Sequence, residues 1–298
     1  MHYREVAART PDSQYRELVG RILEFGEDVP SRQGPMARTL IQQSLHYDLA
    51  NGFPVIADRS LKSFWTKPIG ELCAFINGAT TLDEFESFGC GWWRPWATEA
   101  KTTSRGLPPG DIGPGSYGGA FRRFPTSEGP PFDQFEHLIQ QIVELPDIRT
   151  HFVSPWIPQY QVRGKGKTPR TTIAPCHGWV HVRILRERIH LHMYQRSGDV
   201  PVGVPSNMIQ YAALVLMIEQ LTGYQAGVYY HTISDAHVYH DQIDSMRELL
   251  TRPARRLPTV ELTDAGRQVG QLRDFRAEHF SLADYEPHPG IANIPVAP

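Results

Sequence analysis

WVHVRILRERIHLHMYQRSGD, residues 179–199, alternates apolar and polar side chains twice over. Val180, Val182 and Ile184 fall on one face of the first run. Ile189, Leu191 and Met193 fall on one face of the second. A repeat of two is the period of a strand. Arg186-Glu187-Arg188 between the runs suits a tight reversal, so Trp179–Leu185 and Ile189–Tyr194 are predicted to form an antiparallel hairpin. Immediately after it, Val204–Leu221 is the most apolar long segment, with YAALVLMIEQL at its centre. It reads as a core helix, too short to span a bilayer.

Three amphipathic helices are predicted further out: Asp12–Glu27, capped by Asp12 or Ser13, Lys67–Asn77, and Asp133–Glu144. His151–Trp156 and Gln225–Thr232 are further strand candidates. Strands and helices mix without regular alternation, which argues for an α+β fold. Ala100–Gly119 and Gln161–Arg170 are rich in Gly, Pro and polar or basic residues. Both read as surface excursions.

Of the 298 residues, 40% are hydrophobic and 21% charged, which excludes wholesale disorder. The length suits one large domain or two small ones. No apolar run approaches the roughly 20 residues of a membrane helix, and the polar start MHYREVAARTPDSQYRE has no secretory h-region. A net charge of −2 gives no nucleic-acid footprint over the whole chain. Three scattered cysteines make neither a disulfide framework nor a CxxC metal pair and suit a reducing cytosol. The protein is therefore expected to be cytoplasmic, with no membrane or nucleic-acid partner.

Several short stretches carry chemistry. Gly113-Pro-Gly-Ser-Tyr-Gly118 matches GxGxxG literally, but it follows no predicted strand and opens no convincing helix, so a Gly-rich loop is the better reading. His190 and His192 share one strand face with no carboxylate or Cys at ligand spacing, which favours a polar sheet face over a metal. Ala174-Pro-Cys-His177 puts a thiol at the rim of the predicted sheet, and Arg196, one hairpin later, would lower its pKa. Cys73 and Cys90 read as structural. Tyr194-Gln-Arg-Ser197 and Asp199 gather groups that suit a phosphate at a strand end. Asn207 opens the apolar helix with an amide able to read a base edge. In Asp235-Ala-His-Val-Tyr239, alternation puts His237 and Tyr239 on one side.

In this order, these segments resemble the thymidylate synthase family. Gly203 and Pro205 before Asn207, Pro287-His-Pro-Gly-Ile291, Pro295-Val-Ala297, Asn51-Gly-Phe-Pro54 and Ile69-Gly-Glu-Leu72 extend the likeness over most of the chain. The resemblance implies a single catalytic domain over residues 1–298. Its fold would be a large twisted mixed sheet with flanking helices, the sheet packed against a second copy in a homodimer. The implied enzyme moves a one-carbon unit from 5,10-methylene-tetrahydrofolate to C5 of a pyrimidine nucleoside monophosphate, with no metal and no flavin.

The resemblance also implies roles. Cys176 adds to C6 of the pyrimidine and makes C5 nucleophilic, with Arg196 beside it. Glu71 positions water and relays protons. Tyr117 helps remove the C5 proton. Asn207 holds the base edge, His237 and Tyr239 the sugar 3′-hydroxyl, and Arg32, Arg196 and Ser197 the phosphate. Arg149 is lent across the dimer to the partner's phosphate. Trp93 and Asp199 face the folate, Gly203 allows close backbone packing there, and Ala297 belongs to the folate-side C-terminus.

The chain departs from the family pattern at its active-site rim. Ser206 stands where Phe is usual before the base-reading Asn. Thr150 replaces the second of two adjacent Arg. Arg94 replaces an acidic residue after the folate-wall Trp, and the basic insert around Lys165 lies away from the usual phosphate loop. A relaxed folate wall would admit water to the exocyclic methylene intermediate, giving a 5-hydroxymethyl product; hydride transfer from the folate would give 5-methyl. Ser206 and Arg94 favour the first. Trp93 and the near-normal C-terminus favour the second, synthesis of dTMP from dUMP. Asn207 favours uracil over cytosine, and the choice between ribose and deoxyribose stays open. A rival reading, a catalytically retired nucleotide-binding relative, is disfavoured because Cys176 and Glu71 are both present.

Overall fold

The computed structural model describes residues 2–32 and 34–296. In chain order its main elements are α1 (Gln14–Phe25), β1 (Glu27–Val29), β2 (Ala37–Asp48), α2 (Thr66–Ile76), α3 (Leu82–Ser87), α4 (Glu99–Thr103), α5 (Tyr117–Arg122) and α6 (Gln134–Glu144). There follow β3 (Phe152–Val153), β4 (Trp179–Leu185), β5 (Arg188–Asp199), α7 (Gly203–Thr222), β6 (Gln225–Tyr239), α8 (Ile243–Leu250), β7 (Thr259–Leu262) and β8 (Phe280–Ala283). Six strands form one mixed sheet in the order β1-β2-β6-β5-β4-β3, and β7 pairs with β8.

The hairpin forms as the sequence requires. Val180, Val182 and Ile184 stand opposite Met193, Leu191 and Ile189, and all six are buried. The reversal is tighter than the sequence reading: Arg186 and Glu187 alone make the turn, both at positive φ, and Arg188 already pairs with Leu185. Two consecutive left-handed residues match the twist of the flanking strands.

β5 and β6 run parallel, so the chain must cross between their ends, and α7 is that crossover. α7 is apolar around most of its circumference because it is covered on most sides. It lies against β5, β6 and α2, and Val204 through Ile218 are buried apart from Ser206. Gly223 ends it in the left-handed region at φ 79°, where glycine carries no steric cost. Among the described residues no helix is long and apolar enough to cross a membrane.

Several expectations need correction. β2, twelve residues long, was not anticipated, and β6 runs seven residues beyond Thr232. His151–Trp156 contributes only the two-residue β3. Ser13 occupies the N-cap of α1 but its hydroxyl bonds to the Glu17 carboxylate instead of capping the backbone. Asp133, by contrast, caps α6 by accepting from the Glu136 amide.

The Gly-rich stretch is a surface excursion only in part. Ile112, Gly113 and Gly115–Phe121 are buried, and Tyr117–Arg122 forms the short helix α5. Small residues are needed there because backbones meet. A Cβ on Gly118 would lie 2.3 Å from the Ala79 carbonyl oxygen and 2.7 Å from its nitrogen. Gly118→Ala is expected to cost about 1–3 kcal/mol and to disturb the neighbouring Tyr117. Chemical denaturation checks this; unchanged stability would mean that the Ala79 backbone yields freely.

Candidate active site

Cys176 lies just before β4, half-buried, at the point where Arg196 on β5 comes alongside. The Arg196 amide donates to the Cys176 carbonyl at 2.8 Å. Its guanidinium donates to the carbonyls of Pro175 (2.7 Å) and Ala174 (3.0 Å) and stands 3.2 Å from Cys176 Sγ. One side chain thus holds the loop and faces the sulfur with positive charge. The Cys176 amide in turn donates to Tyr117 Oη at 2.6 Å.

Arg196 lowers the thiol pKa as expected, but its effect is outweighed. Burial pushes Cys176 above the ordinary thiol value, and Arg196 opposes that push without overcoming it. The resting group is a thiol with a cation already in place for the thiolate.

Glu71 enters from α2 and is 8% exposed. Its Oε1 accepts from the indole nitrogens of Trp92 (2.5 Å) and Trp93 (2.7 Å), and its Oε2 accepts from Gln210 Nε2 at 2.7 Å. Burial pushes its pKa up from 4.5 to about 7, and the three donors oppose this. Gln210 Oε1 accepts from Asn207 Nδ2 at 2.9 Å, so the acid and the candidate base reader belong to one network. Rings brace it. Tyr117 packs against Phe75 and His177, each ring centroid 4.5 Å away, and Trp93 stacks on Phe85 at 4.8 Å. His177 Nδ1 lies 2.8 Å from Tyr211 Oη. Burial holds His177 down at about 3, so this ring is neutral.

The ends of β5 and β6 form a second group. Their register sets Ser197 beside Asp235 and Asp199 beside His237. His237 Nδ1 is 3.0 Å from Asp235 Oδ1, and its ring meets Tyr239 edge-on at 5.1 Å. Asp199 accepts from Gln242 Nε2 through both oxygens at 3.3 Å and from the Val202 amide at 3.2 Å. Burial raises it to about 6. Gln242 Nε2 also donates to the Pro295 carbonyl at 2.9 Å, which lays the C-terminal segment beside Asp199. Ala297 lies outside the described residues.

Arg32 is exposed in the turn between β1 and β2, and its neighbour Ser31 hydrogen-bonds Tyr239. Ser206 sits half-buried beside Asn207. Gly203 opens α7. A Cβ there would come no nearer than 3.9 Å to Asp199 and 4.0 Å to Asn207 Oδ1, so packing within the chain does not demand a glycine. Arg149 is exposed on the connection from α6 to β3. Its carbonyl is 3.2 Å from His181 Nε2. His181 alternates with the buried Val180 and Val182, which puts the Arg149 carbonyl beside the outer sheet face. His190 and His192, on that same face, contact Tyr230 and Thr232 hydroxyls, as a polar face requires. Arg94 is exposed and paired with Glu86 at 2.6 Å.

Sequence reasoning missed Trp92, His177, Tyr211, Gln210 and Gln242. Gln210 carried a signal: a polar residue inside an apolar helix, three positions after Asn207, where side chains meet. Trp92 carried none that separates it from Trp93. Compared with known families, residues 13–297 match the family model described as thymidylate synthase.

Proposed function

The chain belongs to the thymidylate synthase family, and from that premise we propose that Cys176 is the nucleophile of a folate-dependent one-carbon transfer to C5 of a uridylate, with the 5-hydroxymethyl nucleotide as product. Transfer of a one-carbon unit from methylene-tetrahydrofolate to a pyrimidine C5 is the chemistry of the family. The observation that carries the reading is the guanidinium of Arg196, 3.2 Å from Cys176 Sγ. A cation there stabilises the thiolate that must attack C6.

The remaining residues fit roles around that step. Glu71, with a pKa near 7, both takes and gives a proton near neutrality, as an acid–base relay must. Tyr117, whose Oη accepts from the Cys176 amide, serves removal of the C5 proton. Asn207 reads the base, His237 and Tyr239 hold the 3′-hydroxyl, and Arg32, Arg196 and Ser197 take the phosphate. Trp93, Asp199 and Gly203 line the folate side. The chain acts as one catalytic domain. Its homodimer uses the outer sheet face, where Arg149 serves the partner's phosphate.

Ser206 next to Asn207 and the exposed Arg94 favour water as the nucleophile that adds to the methylene intermediate. The buried Trp93, held by Glu71 and Phe85, favours the second reading, reductive methylation of dUMP to dTMP. A product assay separates them. Protein is incubated with methylene-tetrahydrofolate and, separately, dUMP, UMP, dCMP and CMP; product mass and dihydrofolate absorbance are followed. A hydroxymethyl product without dihydrofolate is expected. Methyl product with matching dihydrofolate would reject hydroxymethylation, and strict dUMP use would identify deoxyribose as the sugar.

A further inference from the structure

Gln210 is fully buried and Asn207 is 5% exposed. The Gln210 amide cannot turn to water, so it must be satisfied by its neighbours. Glu71 dictates how. Its Oε1 already accepts two indole N–H groups, which have no acceptor capacity to offer in return. Oε2 is therefore the oxygen that faces Gln210 and the one on which a proton would sit. While Glu71 is ionised, Oε2 only accepts, Gln210 must present Nε2 to it, and Gln210 Oε1 is left facing α7. Asn207 must then donate Nδ2 to that oxygen, as the 2.9 Å contact shows. One Nδ2 hydrogen and Oδ1 remain for a ligand, in one fixed arrangement.

A proton taken from solvent onto Oε2 inverts the chain. The carboxylic acid donates, Gln210 must turn its oxygen to it and its nitrogen to Asn207, and Asn207 must answer with Oδ1. The donor and acceptor that Asn207 offers outward exchange places. Uracil presents N3–H and an acceptor at position 4; cytosine presents an N3 acceptor and a 4-amino donor. The two arrangements of Asn207 match one base each.

We propose that Gln210 is a positioning residue that couples the protonation of Glu71 to the hydrogen-bond polarity with which Asn207 reads a pyrimidine base. This rests on the reading of Asn207 as the base reader of a uridylate; the ionised arrangement is then the uracil-reading one. The ionisable groups that reach Glu71 are Cys90, Tyr117 and Tyr211, all pushed up by burial. His177 beyond them is neutral, so the charge that changes near neutrality in this cluster is the one on Glu71.

The test is calorimetric binding of dUMP and dCMP to the full chain, below and above pH about 7. Wild type is expected to favour dUMP above that pH and to lose about ten- to a hundredfold of that preference below it. Gln210→Met keeps the length but breaks the chain, and should give one dUMP-to-dCMP ratio at both pH values. Glu71→Gln keeps two acceptor sites for the indoles and a donor toward Gln210. It should show the acid-limit ratio of wild type throughout, and it decides the matter even where Gln210→Met does not fold. A wild-type ratio that ignores pH, or a pH-dependent ratio surviving in Gln210→Met, overturns the coupling while leaving nucleotide binding intact. Binding of neither nucleotide by wild type overturns the proposed function and the coupling with it.

Discussion

Cys176→Ser is expected to lower kcat by a factor on the order of 10⁴ or more while changing nucleotide affinity only a few-fold. The hydroxyl is a far poorer nucleophile than a thiolate, and Arg196 cannot compensate for that. Affinity survives because the geometry around the residue does not depend on sulfur. Arg196 holds Pro175 and Ala174 through their carbonyls, and Tyr117 holds the residue 176 amide. Exchange of tritium from C5 of the nucleotide should vanish together with turnover, since both require addition at C6. Persistent exchange in the variant would move the nucleophile to another residue. Loss of binding along with turnover would instead show that Sγ holds the loop together.

Where the chain's own pattern dominates, the sequence revealed the fold. The hairpin of β4 and β5 was legible because, over the paired residues, one face of each strand is wholly apolar. α7 was legible because it is buried almost all round. β2 was not. Gln42 sits at φ 57° in its middle, and Gln42-Gln43-Ser44 breaks the apolar alternation. The strand is held by its long antiparallel pairing with β6, a partner nearly two hundred residues away that no local window contains. Gly113–Gly119 was misread for a related reason. Small residues at close backbone contacts look like a solvated loop in sequence, although Gly118 and Gly119 are packed against backbone atoms.

The candidate site divided in the same way. Cys176, Arg196 and Asn207 could be singled out by residue type and by resemblance to a family. The proximity of Arg196 to the thiol was legible, but the burial that outweighs it was not, since desolvation depends on everything packed around the sulfur. Glu71 was recognised without the two indoles and the amide that fix its oxygens. Those partners come from two segments, residues 92–93 and α7, and only folding brings them to one carboxylate.

Glu71→Gln should lower kcat/KM by about 10²–10⁴-fold, the range for loss of a positioned acid–base group, and should stabilise the fold in alkali. Folding raises the Glu71 pKa from 4.5 to about 7, so the folded protein holds this proton more tightly than the unfolded chain. The stability linked to that proton is fully present below pH 4.5 and is lost as pH rises through about 7. The substituting amide stays neutral and keeps the hydrogen bonds to Trp92, Trp93 and, after its amide turns, Gln210. The variant should therefore gain stability relative to wild type above pH about 7, by up to roughly 3 kcal/mol, and that gain should shrink toward acid. Thermal or denaturant unfolding at several pH values measures it. A stability difference independent of pH would mean that Glu71 is not held neutral by burial, and full activity in the variant would remove it from the proton relay. Lost activity combined with a pH-dependent gain in stability is the pattern of a carboxyl kept in a dry site for its chemistry at the fold's expense.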